Sequence, residues 1–241
     1  MTTVTHARRK RGSITRSEIV SAALGLLDAE GEPALTFARL GAELKSSPTA
    51  VYRHFASRDE LLQAIADHLD GISLAGYQPT DDWRVDLEDL AWRAWHTAEA
   101  HPAAAALTLT IVANGMNELR AVEWILRALA HAGLSGRPAV IQYQAYANTV
   151  LGAASAYGAR LARAGSREVA DGWIQVYTPT DPSLYPHAEA AKADLALVSY
   201  DEVFAAQVEM YMTALEFTVS RHASDAEHDQ PTDAAAKTEP S

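Results

Sequence analysis

The chain has 241 residues, of which 48% are apolar, enough for two modest helical domains. It contains no cysteine, which excludes a disulfide framework and any thiol or Cys-based metal chemistry. It shows neither a signal peptide nor an apolar stretch long enough to cross a bilayer, so the sequence predicts a soluble, cytoplasmic protein without a membrane partner.

The formal net charge of −11 is distributed unevenly along the chain. Residues 1–58 carry nine Lys and Arg against five Asp and Glu, a net of +4, which leaves −15 for residues 59–241. The run Arg8 to Arg11 makes residues 1–14 a basic arm that we expect to be disordered in the free protein. Two interpretations of the arm are open: it orders in a DNA minor groove, or it is a solvated tail.

Two short helical patterns follow each other between Leu35 and Arg58. The apolar spacing of the first, together with a hydroxyl that can cap its first turn, predicts a helix over Thr36–Leu44. A polar break follows, and Ser46 or Ser47 before Pro48 is typical of an N-cap with proline at the first helical position. The second helix is therefore expected from Pro48 through His54.

This arrangement is typical of a helix-turn-helix that reads DNA. The second helix leaves Thr49, Arg53 and His54 outward, a short, polar and basic set suited to base edges and phosphates. The alternative is a small helical hairpin whose basic side chains are merely solvated.

Residues 15–69 resemble the DNA-binding domain of TetR-type transcriptional repressors. The resemblance rests on ITRSEIVSAALGLLDAEG ending at Gly31, on Leu35-Thr36, on Val51-Tyr52-Arg53-His54-Phe55, and on Ser57-Arg58-Asp59-Glu60-Leu61-Leu62. It implies that Tyr52 and His54 contact phosphates, that Pro48, Thr49 and Arg53 contact bases, and that Arg58 holds the DNA backbone. The complete set of candidate DNA-binding residues, in a domain expected over 15–75, is Thr36, Arg39, Lys45, Ser47, Pro48, Thr49, Tyr52, Arg53, His54 and Arg58.

The turn departs from the family pattern, because Lys45 and Ser46 stand where glycine and a small apolar residue are common. Lys45 lacks the freedom of glycine at positive φ. Either the turn has another conformation or it is modestly strained, and Lys45 is in addition a candidate for a phosphate contact.

After a connector over residues 71–82, helical patterns without a strand signal predict a second domain over residues 83–222. The expected helices are Trp83–Glu99, Ala103–Val112, Asn117–Ala132, Pro138–Ala164 and Tyr200–His222. Residues 165–189 read mainly as a loop with room for a short helix over 167–176, and residues from Ala223 onward as a disordered tail. The predicted fold is all-α: an N-terminal three-helix helix-turn-helix domain and a larger helical domain for ligand binding and dimerisation.

The two long helices of this domain, residues 138–164 and 200–222, carry extensive apolar stripes. In the resembled family such helices from two subunits form a four-helix interface, which implies a homodimer here. A two-fold dimer would bind an inverted-repeat operator with half-sites about 34–36 Å or somewhat further apart. The alternative is that both stripes are buried within one subunit.

Aromatic residues are dense in the second domain, and their accumulation predicts a pocket for a small-molecule effector. The opposing interpretation is an ordinary aromatic core. The resemblance implies that such a ligand releases the protein from DNA. The candidate ligand-binding residues are Trp92, Trp95, His96, Asn114, Met116, Trp124, Tyr143, Tyr146, Asn148, Trp173 and Tyr177.

Metal binding and catalysis are both disfavoured by the sequence. Tetracycline-sensing members of the family hold a magnesium–drug chelate with histidine, but His96 and His101 flank a helix break and lack metal-pair spacing. No G-x-S-x-G, phosphate loop or H-E-x-x-H occurs, and Asp81 with Asp82 lies in a loop. We expect that the protein has no metal or cofactor and is not an enzyme. The sequence predicts a DNA-binding regulator, and specifically a repressor. The alternative is a helical DNA-binding protein without ligand control.

Overall fold

The structure is a computed structural model that describes residues 14–108, 111–167 and 181–228. All regular secondary structure in these ranges is helical, which confirms the predicted fold class. The helices are α1 (Arg16–Glu30), α2 (Phe37–Glu43), α3 (Pro48–Tyr52), α4 (Arg58–Ser73), α5 (Trp83–Ala100), α6 (Pro102–Thr108), α7 (Met116–His131), α8 (Gly136–Ala164), α9 (Pro186–Leu195) and α10 (Tyr200–His228). No helix of the described ranges is both long and apolar enough to cross a membrane.

Two boundaries near the C-terminus correct the sequence prediction. The predicted disordered tail is wrong for residues 223–228, because α10 continues to His228 and the Ser224 hydroxyl donates to the Ser220 carbonyl one turn earlier. The predicted loop over 165–189 is wrong at its end, where Pro186 opens α9. Outside the described part of the chain lie residues 1–13 of the basic arm, residues 168–180 with Trp173 and Tyr177, and residues 229–241.

Helices α1 to α4 form an N-terminal domain around one apolar core. Its side chains are contributed by all four helices and the segment after α3, and the larger ones with no exposed surface are Ile19, Leu40, Val51, Phe55, Leu61 and Ile65. At the start of α1, Thr15 and Glu18 form a reciprocal capping box. This core fixes the orientation of the two short helices α2 and α3.

The larger domain packs α5, α7, α8 and α10 around aromatic side chains. Trp95 lies between Tyr157 and Phe204, with ring centroids 4.6 and 4.3 Å away, and its indole nitrogen donates to Asp201 at 2.9 Å. The buried Tyr146 hydroxyl donates to the Leu87 carbonyl at 2.6 Å. Much of the aromatic density in the sequence is thus ordinary core.

The apolar stripe of the last helix is largely satisfied inside the subunit. Phe204, Val208, Met212 and Leu215 are all buried in the core of the larger domain. This stripe therefore does not by itself require a second subunit, and the alternative interpretation of intramolecular burial holds for these four residues.

Helix α6 connects the two domains. Ala104 packs in the N-terminal core, whereas the neighbouring Ala105 packs in the core of the larger domain. The Ser155 hydroxyl of α8 donates to the Ala105 carbonyl at 2.8 Å, and a side chain at Gly158 would meet the Ala105 methyl group at 3.1 Å. A displacement of α6 therefore changes the packing of both domains.

A second connection joins α4 to the N-terminus of α7. The Asp67 carboxylate accepts from the backbone amides of Asn117 and Glu118 at 2.8 and 3.1 Å, so it caps α7 from another helix. Gly115 makes this approach possible, since a Cβ there would lie 2.0 Å from an Asp67 carboxylate oxygen. Nothing in the sequence around Asp67 indicates this contact, which spans about fifty positions.

Gly115→Ala is expected to lower the free energy of unfolding by about 1–3 kcal/mol, because the added methyl displaces the Asp67 cap. Gly25→Ala is the matched control, since its Cβ meets nothing within 4 Å in the interior of α1. The control should raise the free energy of unfolding by about 0.5–1 kcal/mol. Urea unfolding measures both, and equal stabilities of the two variants would contradict the tertiary cap.

Candidate functional site

The turn between α2 and α3 is a helix C-terminal motif with lysine in the position that glycine usually takes. The Ser46 amide donates to the Gly41 carbonyl at 2.8 Å and the Lys45 amide donates to the Ala42 carbonyl at 3.1 Å, the two bonds of a Schellman motif. Lys45 has φ +50°, so it adopts the left-handed conformation. The sequence left open whether the turn has another conformation or is modestly strained, and with Lys45 at positive φ it is the strained form that is present.

Gly41 allows the turn to fold back tightly on α2. A Cβ at this position would lie 3.0 Å from the Pro48 nitrogen and 3.1 Å from the Ser46 carbonyl oxygen. The sequence analysis did not single out Gly41, although a glycine inside a seven-residue helix is itself a signal of close backbone approach.

Helix α3 begins as the sequence predicts. The Ser47 hydroxyl accepts from the Ala50 amide, and Pro48 takes the first helical position. Ala50 and Val51 are buried, whereas Thr49 and Arg53 are exposed on the opposite face. One face of α3 is thereby fixed to the core and the other is presented to solvent.

The predicted DNA-binding residues fall into two groups. Four of them are exposed, and their side chains make no hydrogen bond or ion pair within the described ranges: Lys45, Thr49, Tyr52 and Arg53. Tyr52 is 58% exposed, and its ring is supported by Phe37 of α2 at 4.4 Å. A free hydroxyl, phenol, ammonium and guanidinium group thus lie side by side on α3 and its preceding turn.

The other basic candidates already have partners. Arg39 forms ion pairs with Glu30 at 2.6 Å and Glu43 at 2.9 Å, and Arg58 pairs with Glu32 at 2.8 Å. All these side chains are well exposed, so the pairs are weak and a phosphate can replace a carboxylate. Both arginines must exchange partners to bind a DNA backbone.

Two further candidates have structural roles of their own. The Thr36 hydroxyl accepts from the Arg39 amide at 3.1 Å and so caps α2. His54 is half-buried, and its carbonyl accepts from Arg16 at 2.7 Å. Arg16 also pairs with Glu60 at 2.7 Å and lies 4.1 Å from the centre of the Phe55 ring. Arg16, which the sequence analysis did not select, therefore locks the segment after α3 to α1 and α4.

A cavity of about 170 Å³ lies in the larger domain, bounded by α4, α5, α6, α7 and α8. Its wall is mainly aliphatic, with Leu69, Leu90, Ile125 and Val150 among the lining residues. Helices α4 and α6, which form two of its walls, also pack in the N-terminal domain. The cavity thus adjoins the elements that hold α2 and α3.

Of the predicted ligand-binding residues that fall within the described ranges, Tyr143 and Tyr146 are the two that line this cavity. Trp95 is 1% exposed in the aromatic stack, and Trp92 packs edge-on against Phe204. Trp124 packs against Tyr77 at 4.7 Å. These three tryptophans do not line the cavity, because each finds its ring contacts within the core.

The predicted polar pocket residues are also placed elsewhere. His96, Asn114 and Asn148 are exposed, and Met116 is 73% exposed at the start of α7. None of these four lines the cavity. Residues of the described ranges show no group of three His, Asp or Glu side chains arranged to hold a metal ion.

The charged groups of the cavity come from α4 and α7. Asp70 and Glu118 both line it, next to the Tyr143 ring. Burial, with the nearby carboxylates of Glu118 and Asp67, raises the pKa of Asp70 to about 7. The pKa of Tyr143 is raised by burial and by the nearby carboxylates of Glu118 and Asp70. The sequence analysis missed this pair, because 48 positions separate two carboxylates on different helices.

These features define an all-helical protein in which a helix-turn-helix domain adjoins a cavity-containing helical domain. The family model described as bacterial regulatory proteins, tetR family, matches residues 19–65. The model described as tetracyclin repressor-like, C-terminal domain, matches residues 75–218, more than half of the chain. The chain belongs to the tetR family.

Individual relatives agree with this assignment. An HTH-type transcriptional regulator of Saccharopolyspora erythraea is 31% identical over 148 residues, which are 61% of this chain and 63% of that protein. The HTH-type transcriptional repressor DrrR1 of Streptomyces coeruleorubidus is 26% identical over 54% of this chain and 48% of its own. The match thus spans about half to just under two thirds of the length of these curated relatives.

Solved structures share the fold over most of the chain. A possible TetR family transcriptional regulator from Streptomyces coelicolor A3(2) superposes with a TM-score of 0.73 at 26% identity, covering 85% of this chain and 100% of that one. The TetR family protein ActR of Streptomyces coelicolor, solved in complex with actinorhodin, has a TM-score of 0.73 at 24% identity, covering 86% and 99%.

Lys45→Gly is expected to raise the free energy of unfolding by about 1 kcal/mol, because glycine adopts the left-handed conformation without strain. Lys45→Ala removes the same ammonium group but keeps the Cβ, so it should leave stability unchanged within about 0.5 kcal/mol. Urea unfolding compares the two. A glycine variant no more stable than the alanine variant would contradict the strained turn.

Proposed function

We propose that this protein is a transcriptional regulator, in the first place a repressor, that binds an inverted-repeat operator as a homodimer and leaves it when a small molecule occupies the cavity. The observation that supports the DNA-binding role most directly is the exposed face of Lys45, Thr49, Tyr52 and Arg53, whose side-chain polar groups have no partner within the described ranges. Membership of the tetR family supports the same role.

We infer that DNA recognition is divided between side chains that are free in this structure and side chains that are ion-paired in it. Thr49 and Arg53 project from the outer face of α3, the element that reads base edges in a helix-turn-helix. Tyr52 and Lys45 flank them and suit phosphates. Arg58, at the first position of α4, suits the DNA backbone once it leaves Glu32.

Selection of bound sequences from random DNA tests these roles. Arg53→Ala and Thr49→Ala should each weaken binding and relax the preference at about one position per half-site, with a loss of about 1–3 kcal/mol for a bidentate base contact. Arg58→Ala is the matched comparison, since loss of a phosphate contact should weaken all sequences alike and reduce the salt dependence. Retention of the full sequence preference by both α3 variants would exclude α3 as the reading helix.

The proposed homodimer interface consists of the outer faces of α8 and α10. Val203, Met210 and Phe217 are exposed on α10 at intervals of seven residues, which keeps them on one face. Val140 and Ile141 are exposed on α8, which packs beside α10 through the Tyr211 hydroxyl bond to the Gln142 carbonyl. Exposed apolar side chains in one region favour association with a second copy.

Phe217→Glu is expected to shift the protein to a monomer at micromolar concentration, because it places a charge at the centre of the proposed interface. Leu119→Glu is the matched control: Leu119 is 58% exposed, but it lies on α7 outside this face. Sedimentation velocity measures the mass of each. A wild-type monomer, or equal masses for both variants, would refute the interface.

The position of the cavity supports the proposal that a small molecule controls DNA binding. A molecule that expands it presses on α4 and α6, and both helices pack in the N-terminal domain. An effector lowers operator affinity only in proportion to its preference for the DNA-free arrangement, about tenfold for each 1.4 kcal/mol. ActR, which shares this fold, holds actinorhodin, so the fold is able to accept a small organic molecule.

A further inference from the structure

The polar groups at one end of the cavity indicate the chemical class of molecule that it accepts. Building on the proposed effector site, we infer that the cavity takes an amphipathic cation: an apolar body against the aliphatic wall, with a protonated amine between Asp70 and Glu118.

The Asp70 carboxyl is the central observation. It lies on α4 at the cavity wall and has neither a hydrogen bond nor an ion pair in the part of the chain that the structure describes. A partly buried carboxyl without a donor is unfavourable, and it becomes favourable when a cation or a donor joins it. The neighbouring Asp67 differs, since its Oδ1 accepts from the backbone amides of Asn117 and Glu118 and its Oδ2 accepts from the Asn117 side-chain amide.

The surroundings of Asp70 add negative potential and no compensating cation. Glu118 lines the same end, and among the described residues one of its two carboxylate oxygens has a partner, the Asn114 amide at 2.6 Å. None of the described residues that line the cavity is Lys, Arg or His. A carboxylate-bearing ligand is therefore disfavoured there, and an ammonium group is favoured.

The Tyr143 ring favours an organic amine over a bare metal ion. It lines the cavity beside the two carboxyls, where an aromatic face attracts an ammonium group. The described chain holds no group of three acidic or histidine side chains arranged as metal ligands. The aliphatic remainder of the wall matches a hydrocarbon body rather than a hydrated ion.

The charge of Asp70 makes the binding pH-dependent. The groups that face it are Asp67 on its own helix, Glu118 on α7 and Tyr143 on α8. With a pKa of about 7, Asp70 is about 10% ionised at pH 6 and about 90% at pH 8. An amine that stays protonated over this range should therefore bind up to about ninefold more tightly at pH 8 than at pH 6. The affinity of a neutral analogue should not increase between these two pH values.

Calorimetric titration of the full chain without DNA tests the inference with three probes of equal length: 4-phenylbutylamine, 4-phenylbutanol and 4-phenylbutanoate. At pH 8 the amine should bind at least about tenfold more tightly than the alcohol, and the carboxylate should bind most weakly. Asp70→Asn and Glu118→Gln should each reduce the preference for the amine over the alcohol. Asp70→Asn should also abolish the increase in amine affinity between pH 6 and pH 8.

Glu123→Gln is the matched control, because it removes one charge from the exposed side of the same helix α7 outside the cavity. Thermal unfolding of each variant confirms that it is folded, and Asp70→Asn removes no hydrogen bond within the described ranges. No detectable amine binding at millimolar concentration, an amine no tighter than the alcohol, or an unchanged preference in both cavity variants would overturn the inference.

Failure of the charge preference and failure of the proposed function give different results. If the amine binds with the expected preference but leaves operator affinity unchanged in a mobility-shift assay, the charge preference stands and effector control of DNA binding fails. If the protein binds an operator but takes no amine, the charge preference fails and the DNA-binding role stands.

Discussion

The contact on which the rest of the structure depends is the cap that Asp67 places on α7. It joins the helix that closes the N-terminal domain, α4, to a helix of the larger domain through two backbone amides, and Gly115 leaves the necessary space. Since Asp67 stands one turn before Asp70, the residue that holds α7 and the residue that faces the cavity move together on one helix. A change in the cavity therefore reaches α4 without an intermediate loop.

This joint and α6 give the molecule two connections between its domains. Helix α6 contributes neighbouring alanines to the two cores, and its carbonyl at Ala105 is tied to Ser155 of α8. Small side chains at Gly158 and Ala105 keep these helices in close contact. Packed helices of this kind shift as rigid elements rather than deform, which suits the transfer of a small displacement to α3.

The elements that could be predicted from the sequence are those specified by neighbouring residues. The Ser47-Pro48 start of α3 and the outward face with Thr49 and Arg53 follow from capping and helical periodicity, and both are present. The positions of the aromatic side chains were not predictable in the same way, because helical spacing does not reveal that Trp95 packs against Phe204 of a distant helix. The Asp70 and Glu118 pair needs the same long-range information, whereas the missing glycine at Lys45 already gave strain as one of two possible conformations of the turn.

The central claim is that occupation of the cavity changes the separation of two DNA-reading domains in a dimer. Because the chain has no cysteine, Ser21→Cys on the exposed side of α1 gives one spin label per subunit. Pulsed electron paramagnetic resonance should show one inter-subunit distance that shifts when 4-phenylbutylamine is added. Absence of any inter-subunit distance, or a distance unchanged at saturating amine, would contradict the account.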